Sequence, residues 1–131
     1  MPAIIQLTPA QPVTVTGPPG PATRQNLWNV VDVSGFDILV LELGIIAFSG
    51  PSTPAVKVEI DTSMVNDDDA PWVITPSNSG WTTTLSTSGY YAAARWNKGF
   101  LRYIRWNVST LDATQSITFW IRGIATNYGR P

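Results

Sequence analysis

Val56-Lys57-Val58-Glu59-Ile60-Asp61 alternates strictly between apolar and charged residues. Successive side chains of a β-strand point to opposite faces, so this period of two predicts a strand with one face in a core and the other toward water. We expect the strand to cover residues 55–64, with Val56, Val58 and Ile60 buried.

Similar strand signals, separated by turn residues, recur along the rest of the chain. No segment of useful length follows the 3.6-residue period of a helix. Eight or nine short strands in roughly 105 residues are typical of a jelly roll or a related sandwich, with an up-and-down barrel as the alternative. We therefore predict an all-β, antiparallel, jelly-roll-like β-sandwich. The predicted strands cover residues 26–33, 36–48, 55–64, 72–75, 81–85, 89–96, 100–108 and 115–125.

The run from Phe36 to Phe48 is apolar on both of its alternating faces. Such a strand is either buried on both faces or covered by a partner on one of them. Gly44 predicts a β-bulge within the run. The more consistently apolar faces of the later strands complete the predicted core with Ile104, Phe119 and Ile121.

The N-terminal region differs from the rest because residues 1–24 hold six of the eleven prolines. Proline lacks the N–H that a sheet ladder needs, so we predict an extended Pro-rich N-terminal arm, followed by a β-sandwich domain at residues 25–131. We expect the arm to pack against another chain rather than its own domain. The prolines assigned to this contact are Pro9, Pro12, Pro18 and Pro19.

Composition narrows the possible chemistry. The chain of 131 residues has no cysteine and no histidine, which removes Cys/His metal sites and Ser-His-Asp or Cys-His nucleophilic machinery. We therefore predict no enzymatic activity and no cofactor. Asp67-Asp68-Asp69 is the one cluster of hard oxygen ligands. We interpret it as a solvated turn that needs no metal, with structural Ca²⁺ as the alternative.

Charge points toward an assembly. Charged residues form 13% of the chain and the net charge is −1, whereas a typical soluble domain has about 25% charged residues. Such a surface fits a protein covered by neighbours, or a Ser/Thr-rich secreted domain. The balance is not that of a nucleic-acid binder, and no apolar run could span a bilayer, so we expect neither nucleic acid nor membrane as a partner. The start of the chain lacks the features of a signal peptide, which predicts synthesis in the cytoplasm.

Aromatic residues supply the candidate contacts, since six tryptophans is a high count for this length. Those assigned to partner binding are Trp28, Trp72, Trp81 and Trp120. Trp72 and Trp81, with Tyr90 and Tyr91, could instead form a stacking platform for a sugar, which motivates the alternative function of a carbohydrate-binding module.

Arg102 is a further candidate because it falls on an apolar strand face, beside Ile104 and Trp106. A charge in that position needs a carboxylate or a stacking partner. We expect a buried pair within the chain, with Asp37 or Glu42, and keep a subunit contact as the functional alternative.

The chain has a Pro-rich start and then a compact sandwich, which contains Gly99-Phe100-Leu101-Arg102-Tyr103 and closes on the strand Ile117-Thr118-Phe119-Trp120-Ile121. In this architecture it resembles the small structural proteins of tailed-bacteriophage virions. Head decoration, or cement, proteins are the nearest likeness. The resemblance implies a virion location and a homo-oligomer, often a trimer, that binds capsid subunits at their junctions and stabilises the shell.

Overall fold

The structure is a computed structural model, and it describes residues 2–8, 11–18, 23–26, 29–51, 56–67, 69–75, 91–97, 99–110 and 112–127. These residues form nine β-strands. Their bounds are β1 Ala3–Gln6, β2 Val13–Thr16, β3 Val31–Asp32, β4 Ile38–Ser49, β5 Lys57–Ser63, β6 Val73–Ile74, β7 Tyr91–Asn97, β8 Tyr103–Thr110 and β9 Ser116–Thr126.

The strands form two antiparallel sheets. The first sheet has the order β1-β9-β4-β7, with β2 also paired to β9, and the second sheet has the order β3-β8-β5-β6. The pairs are nested, because β1 and β2 meet β9, β3 meets β8, β4 meets β7 and β5 meets β6. A long hairpin rolled into two sheets in this way has jelly-roll connectivity, so the predicted fold class is confirmed.

The core lies between the two sheets and follows from period-two alternation. All six residues predicted to be buried are at most 1% exposed. They are Val56, Val58, Ile60, Ile104, Phe119 and Ile121. Trp106 and Phe119 meet edge to face across the core, with ring centroids 5.1 Å apart. This arrangement ties β8 of the second sheet to β9 of the first.

The N-terminal residues correct one prediction. β1 pairs with Ile124 and its neighbours, and β2 pairs with the other half of β9, so the two strands lie end to end along one sheet edge. Ile5, Leu7 and Val15 are buried in the core, and the Leu7 carbonyl accepts a hydrogen bond from the Trp106 indole at 3.2 Å. The expectation that this region packs away from its own domain is therefore wrong for the strand residues. Proline falls outside both strands, which leaves their ladder donors intact.

The long strand is close to its predicted place. β4 covers Ile38–Ser49, and its register against β9 shifts between Ile45 and Ala47. The bulge predicted at Gly44 therefore falls just after it. Of the predicted strand at residues 26–33, only Val31–Asp32 is extended among the described residues, and the predicted strand at 81–85 lies outside them.

Candidate functional site

The outer face of the first sheet carries apolar side chains that the chain itself leaves uncovered. Ile4 of β1, Ile124 of β9 and Val40 of β4 are direct cross-strand neighbours and form one row. Ile4 is 80% exposed and Ile124 is 41% exposed, while Val40 is half-buried. The opposite faces of these strands form the core, so the core cannot cover these three residues.

An aromatic cluster lies four residues further along the same strands. The Trp120 indole crosses the strand beside it at Gly44, where a Cβ would come within 2.2 Å of the ring. Glycine at this position is therefore what lets the indole lie flat on the sheet. Tyr91 of β7 packs against Trp120 with ring centroids 5.7 Å apart. The guanidinium of Arg122 lies 4.5 Å from the Trp120 ring centre, within reach of a cation–π contact.

Two charges of opposite sign lie between the apolar row and the aromatic cluster. Arg122 Nε is 3.5 Å from Glu42 Oε2, and these residues are cross-strand partners. The Tyr91 hydroxyl donates a hydrogen bond to the Glu42 carboxylate, which raises the pKa of Tyr91. Because the ion pair is largely exposed, it adds little to the stability of the chain alone.

These residues form one continuous surface, which we call the outer patch and define as Ile4, Gln6, Val40, Glu42, Tyr91, Trp120, Arg122 and Ile124. A shallow depression of about 410 Å³ opens in it between β1, β9 and β4. Trp, Tyr and Arg are the residues that most often dominate protein interfaces, and polar groups commonly surround them. The arrangement is chemically suited to binding a flat surface.

A buried polar cluster occupies the other side of the sandwich. Arg105 and Asp61 are cross-strand partners on the outer face of the second sheet, with Nε 3.9 Å from Oδ2. The Trp72 ring lies 4.1 Å from the Arg105 guanidinium and covers it. Burial raises the pKa of Asp61, against the opposing influence of Arg105. Sequence alternation placed Asp61 toward water, but Asp61 is 5% exposed beside Arg105, whose guanidinium the Trp72 ring covers.

Arg102 is not the buried arginine. Its side chain is 51% exposed and pairs with Asp32 at 3.2 Å, so the predicted buried pair with Asp37 or Glu42 is wrong. Arg102 precedes β8, and the residue that the strand carries into a covered position is Arg105. As a partner contact, Arg102 is accessible but lies outside the outer patch.

The tryptophans separate into two groups. Trp96 and Trp106 are buried, whereas Trp72 and Trp120 are partly exposed and each has an arginine over its ring. Trp72 and Tyr91 lie on opposite sides of the sandwich, so these two members of the predicted stacking platform do not share a surface. Trp28, Trp81 and Tyr90 lie outside the described residues.

The prolines assigned to partner binding are only partly described. Pro12 and Pro18 are exposed, and Pro9 and Pro19 lie outside the described residues. Pro12 lines a cleft of about 440 Å³ between the start of β2 and the segment around Gln25. Amides and hydroxyls dominate its polar lining, and Arg24 is the one titratable side chain among the described lining residues.

Most of the outer patch was missed by sequence reasoning, which selected Trp120 as a protein contact and Tyr91 only for a sugar platform. Its signal was nevertheless present in β9: if Ile117, Phe119 and Ile121 face the core, Trp120 and Ile124 must face outward. The partners of these two residues on other strands carry no such local signal.

Within the described part of the chain, no group of three or more Asp or Glu residues is placed to hold a metal ion. The same residues include no helix with the length and apolar character needed to cross a membrane.

Comparison with models of protein families, with curated proteins and with solved structures finds no match. The functional conclusion therefore rests on the geometry of this chain.

Proposed function

We propose that the chain is a non-enzymatic structural protein of a virion, which decorates a capsid at subunit junctions and stabilises the shell. The outer patch is the observation that carries this proposal. It exposes apolar and aromatic side chains across all four strand positions of one sheet, which is the composition of a contact surface.

Composition supports the same function. With 13% charged residues, the exposed surface has few groups that repel neighbouring proteins. The fold alone does not distinguish a virion protein from a carbohydrate-binding module, because jelly rolls occur in viral capsid and lectin domains alike. The choice depends on the surface: the two partly exposed tryptophans that are described lie on opposite sides of the sandwich, whereas a sugar platform needs aromatic rings side by side on one surface.

Shell stabilisation requires no chemistry beyond binding. A protein that binds the assembled shell, and not its separated subunits, stabilises the assembled state by mass action. At a free concentration about 100 times the dissociation constant, each site contributes about 2.7 kcal/mol. Many sites on one shell would together resist thermal or pressure-driven rupture.

The test uses particles produced from the genome that encodes this chain, with its gene intact or deleted. We expect mass spectrometry to find the chain in intact particles. Particles without it should assemble but release their nucleic acid at a lower temperature, and added purified protein should restore the wild-type temperature.

Absence of the chain from purified particles would refute the proposal, and so would equal thermal resistance of the two preparations. A glycan array serves as the companion measurement. Specific sugar binding by a chain that particles lack would establish the carbohydrate-binding alternative instead.

A further inference from the structure

We propose that the outer patch binds a second copy of this chain, giving a two-fold symmetric dimer in which the first sheets pack face to face. The dimer covers the outer patch, so this inference assigns to a second copy the contact that the proposed function leaves to a neighbouring protein, and it rests on that function only for its biological setting. The charges of the patch are placed as such a dimer requires. Arg122 and Glu42 are cross-strand partners on β9 and β4, the two central strands of the sheet.

The two-fold axis of this dimer runs parallel to the strands, in the plane between the two sheets and midway between β9 and β4. It places β9 of each copy over β4 of the other. It places Arg122 of each copy opposite Glu42 of the other, so both charges gain a second partner of opposite sign. The same operation places Ile124 opposite Val40, and Ile4 opposite Arg95 of β7, whose aliphatic stem can lie along an apolar side chain. The central strands of the patch are therefore complementary to themselves in charge and in apolar character, as an isologous interface requires.

The area of the face is of the size that a dimer needs. The 7 residues of β7 at about 3.3 Å give a length of about 23 Å, and four strand positions at about 4.8 Å give a width of about 19 Å, so the two faces overlap fully over about 440 Å². The central strands β9 and β4 continue for about 13 Å more, which brings the planar area to about 560 Å². Each partner in a specific interface buries roughly 800 Å² of accessible surface, an area of the same order.

The space between two packed sheets is deep enough for the side chains of both outer patches. Packed sheets lie about 10 Å apart, a separation that side chains from both faces fill together. Ile4 at 80% exposure and Tyr91 at 57% exposure project into this layer, and Trp120 provides a rigid base. Long arginine and glutamate side chains can meet across it.

The first experiment is analytical ultracentrifugation of the full chain over a range of concentrations. We expect a reversible species of twice 14.3 kDa, with a dissociation constant in the micromolar range or tighter. Ile124→Asp should weaken the dimer by about 30-fold or more, because it buries an unpaired charge. Val73→Asp is the matched control, since Val73 is 52% exposed on the second sheet and should leave the dimer unchanged.

The decisive experiment mixes two charge variants. Glu42→Arg and Arg122→Glu should each be monomeric alone, because each variant places like charges opposite each other across the two-fold axis. An equimolar mixture should recover the dimer, since every pair between the two copies then joins opposite charges. The exposed second-sheet variant Lys57→Glu controls for a general effect of charge, and circular dichroism confirms that each variant is folded.

A chain that sediments at 14.3 kDa at all concentrations, or at three times that mass, would overturn the inference. So would a dimer that survives Ile124→Asp, or variants whose mixture stays monomeric. Particle association is measured separately. A chain that is monomeric but binds particles would refute the dimer and leave the proposed function standing. A chain that forms the dimer but is absent from particles would refute the proposed function and leave the dimer standing.

Discussion

Replacing Ile5 with alanine measures how firmly the N-terminal strand belongs to the sandwich. Ile5 is 4% exposed in the core, whereas its neighbour Ile4 is 80% exposed on the outer patch. The two residues have the same side chain and adjacent positions, so Ile4→Ala is a matched control.

The magnitude follows from the buried volume. The substitution removes three carbons, which at about 0.8 kcal/mol each gives about 2.4 kcal/mol for lost burial alone. The remaining cavity brings the usual range to about 2–5 kcal/mol, and we expect about 3 kcal/mol for Ile5→Ala. Ile4→Ala should change the free energy of unfolding by less than about 0.5 kcal/mol.

Urea denaturation and thermal melting are the assays. For 131 residues, an unfolding entropy of about 2.1 cal/mol/K per residue converts 3 kcal/mol into a decrease in Tm of about 11 °C. Protein concentration must be low enough to keep the chain monomeric, because self-association would add to its apparent stability. If both substitutions cost less than about 0.5 kcal/mol, the N-terminal residues do not form a core strand and the structural assignment is wrong.

Three further outcomes are expected. Phe119→Ala should lower the free energy of unfolding by about 3–5 kcal/mol, while the control Val73→Ala, at an exposed position of the second sheet, should change it by less than about 0.5 kcal/mol. A comparably small change for Phe119→Ala would mean that the register of β9 is wrong by one residue. Burial raises the pKa of Asp61 above its usual 3.8, so the folded state binds the carboxyl proton more tightly than the unfolded state does. The contribution of Asp61 to the free energy of unfolding therefore falls as pH rises from about 3.8 through the raised pKa. Asp61→Asn should remove that part of the slope in a pH series of urea denaturations, and an unchanged slope would show that another group causes it. Millimolar Ca²⁺ should leave Tm unchanged, because Asp67 Oδ1 already accepts a hydrogen bond from the Asp69 N–H at 2.9 Å in an exposed turn. An increase in Tm that EDTA reverses would reveal a calcium site.

The sequence alone was enough to predict the sandwich and much of its core. Alternation is a local property of the backbone, since neighbouring side chains of a strand must point to opposite faces. Val56, Val58 and Ile60 therefore revealed their burial without knowledge of any partner strand. The absence of histidine and cysteine likewise narrows the possible chemistry, because composition does not depend on how the chain folds.

Tertiary structure decided which faces are covered and which residues meet. Proline content suggested an extended arm that packs against another chain, but Ile5 and Leu7 pair with residues of their own chain more than a hundred positions away on β9. Alternation selected Arg102 for burial, but Arg105 is the buried arginine, because the Trp72 ring covers its guanidinium. The outer patch joins Ile4, Val40 and Ile124, whose proximity depends on strand order and register. A period of two gives each strand two faces, but only long-range pairing determines which of those faces the rest of the chain covers.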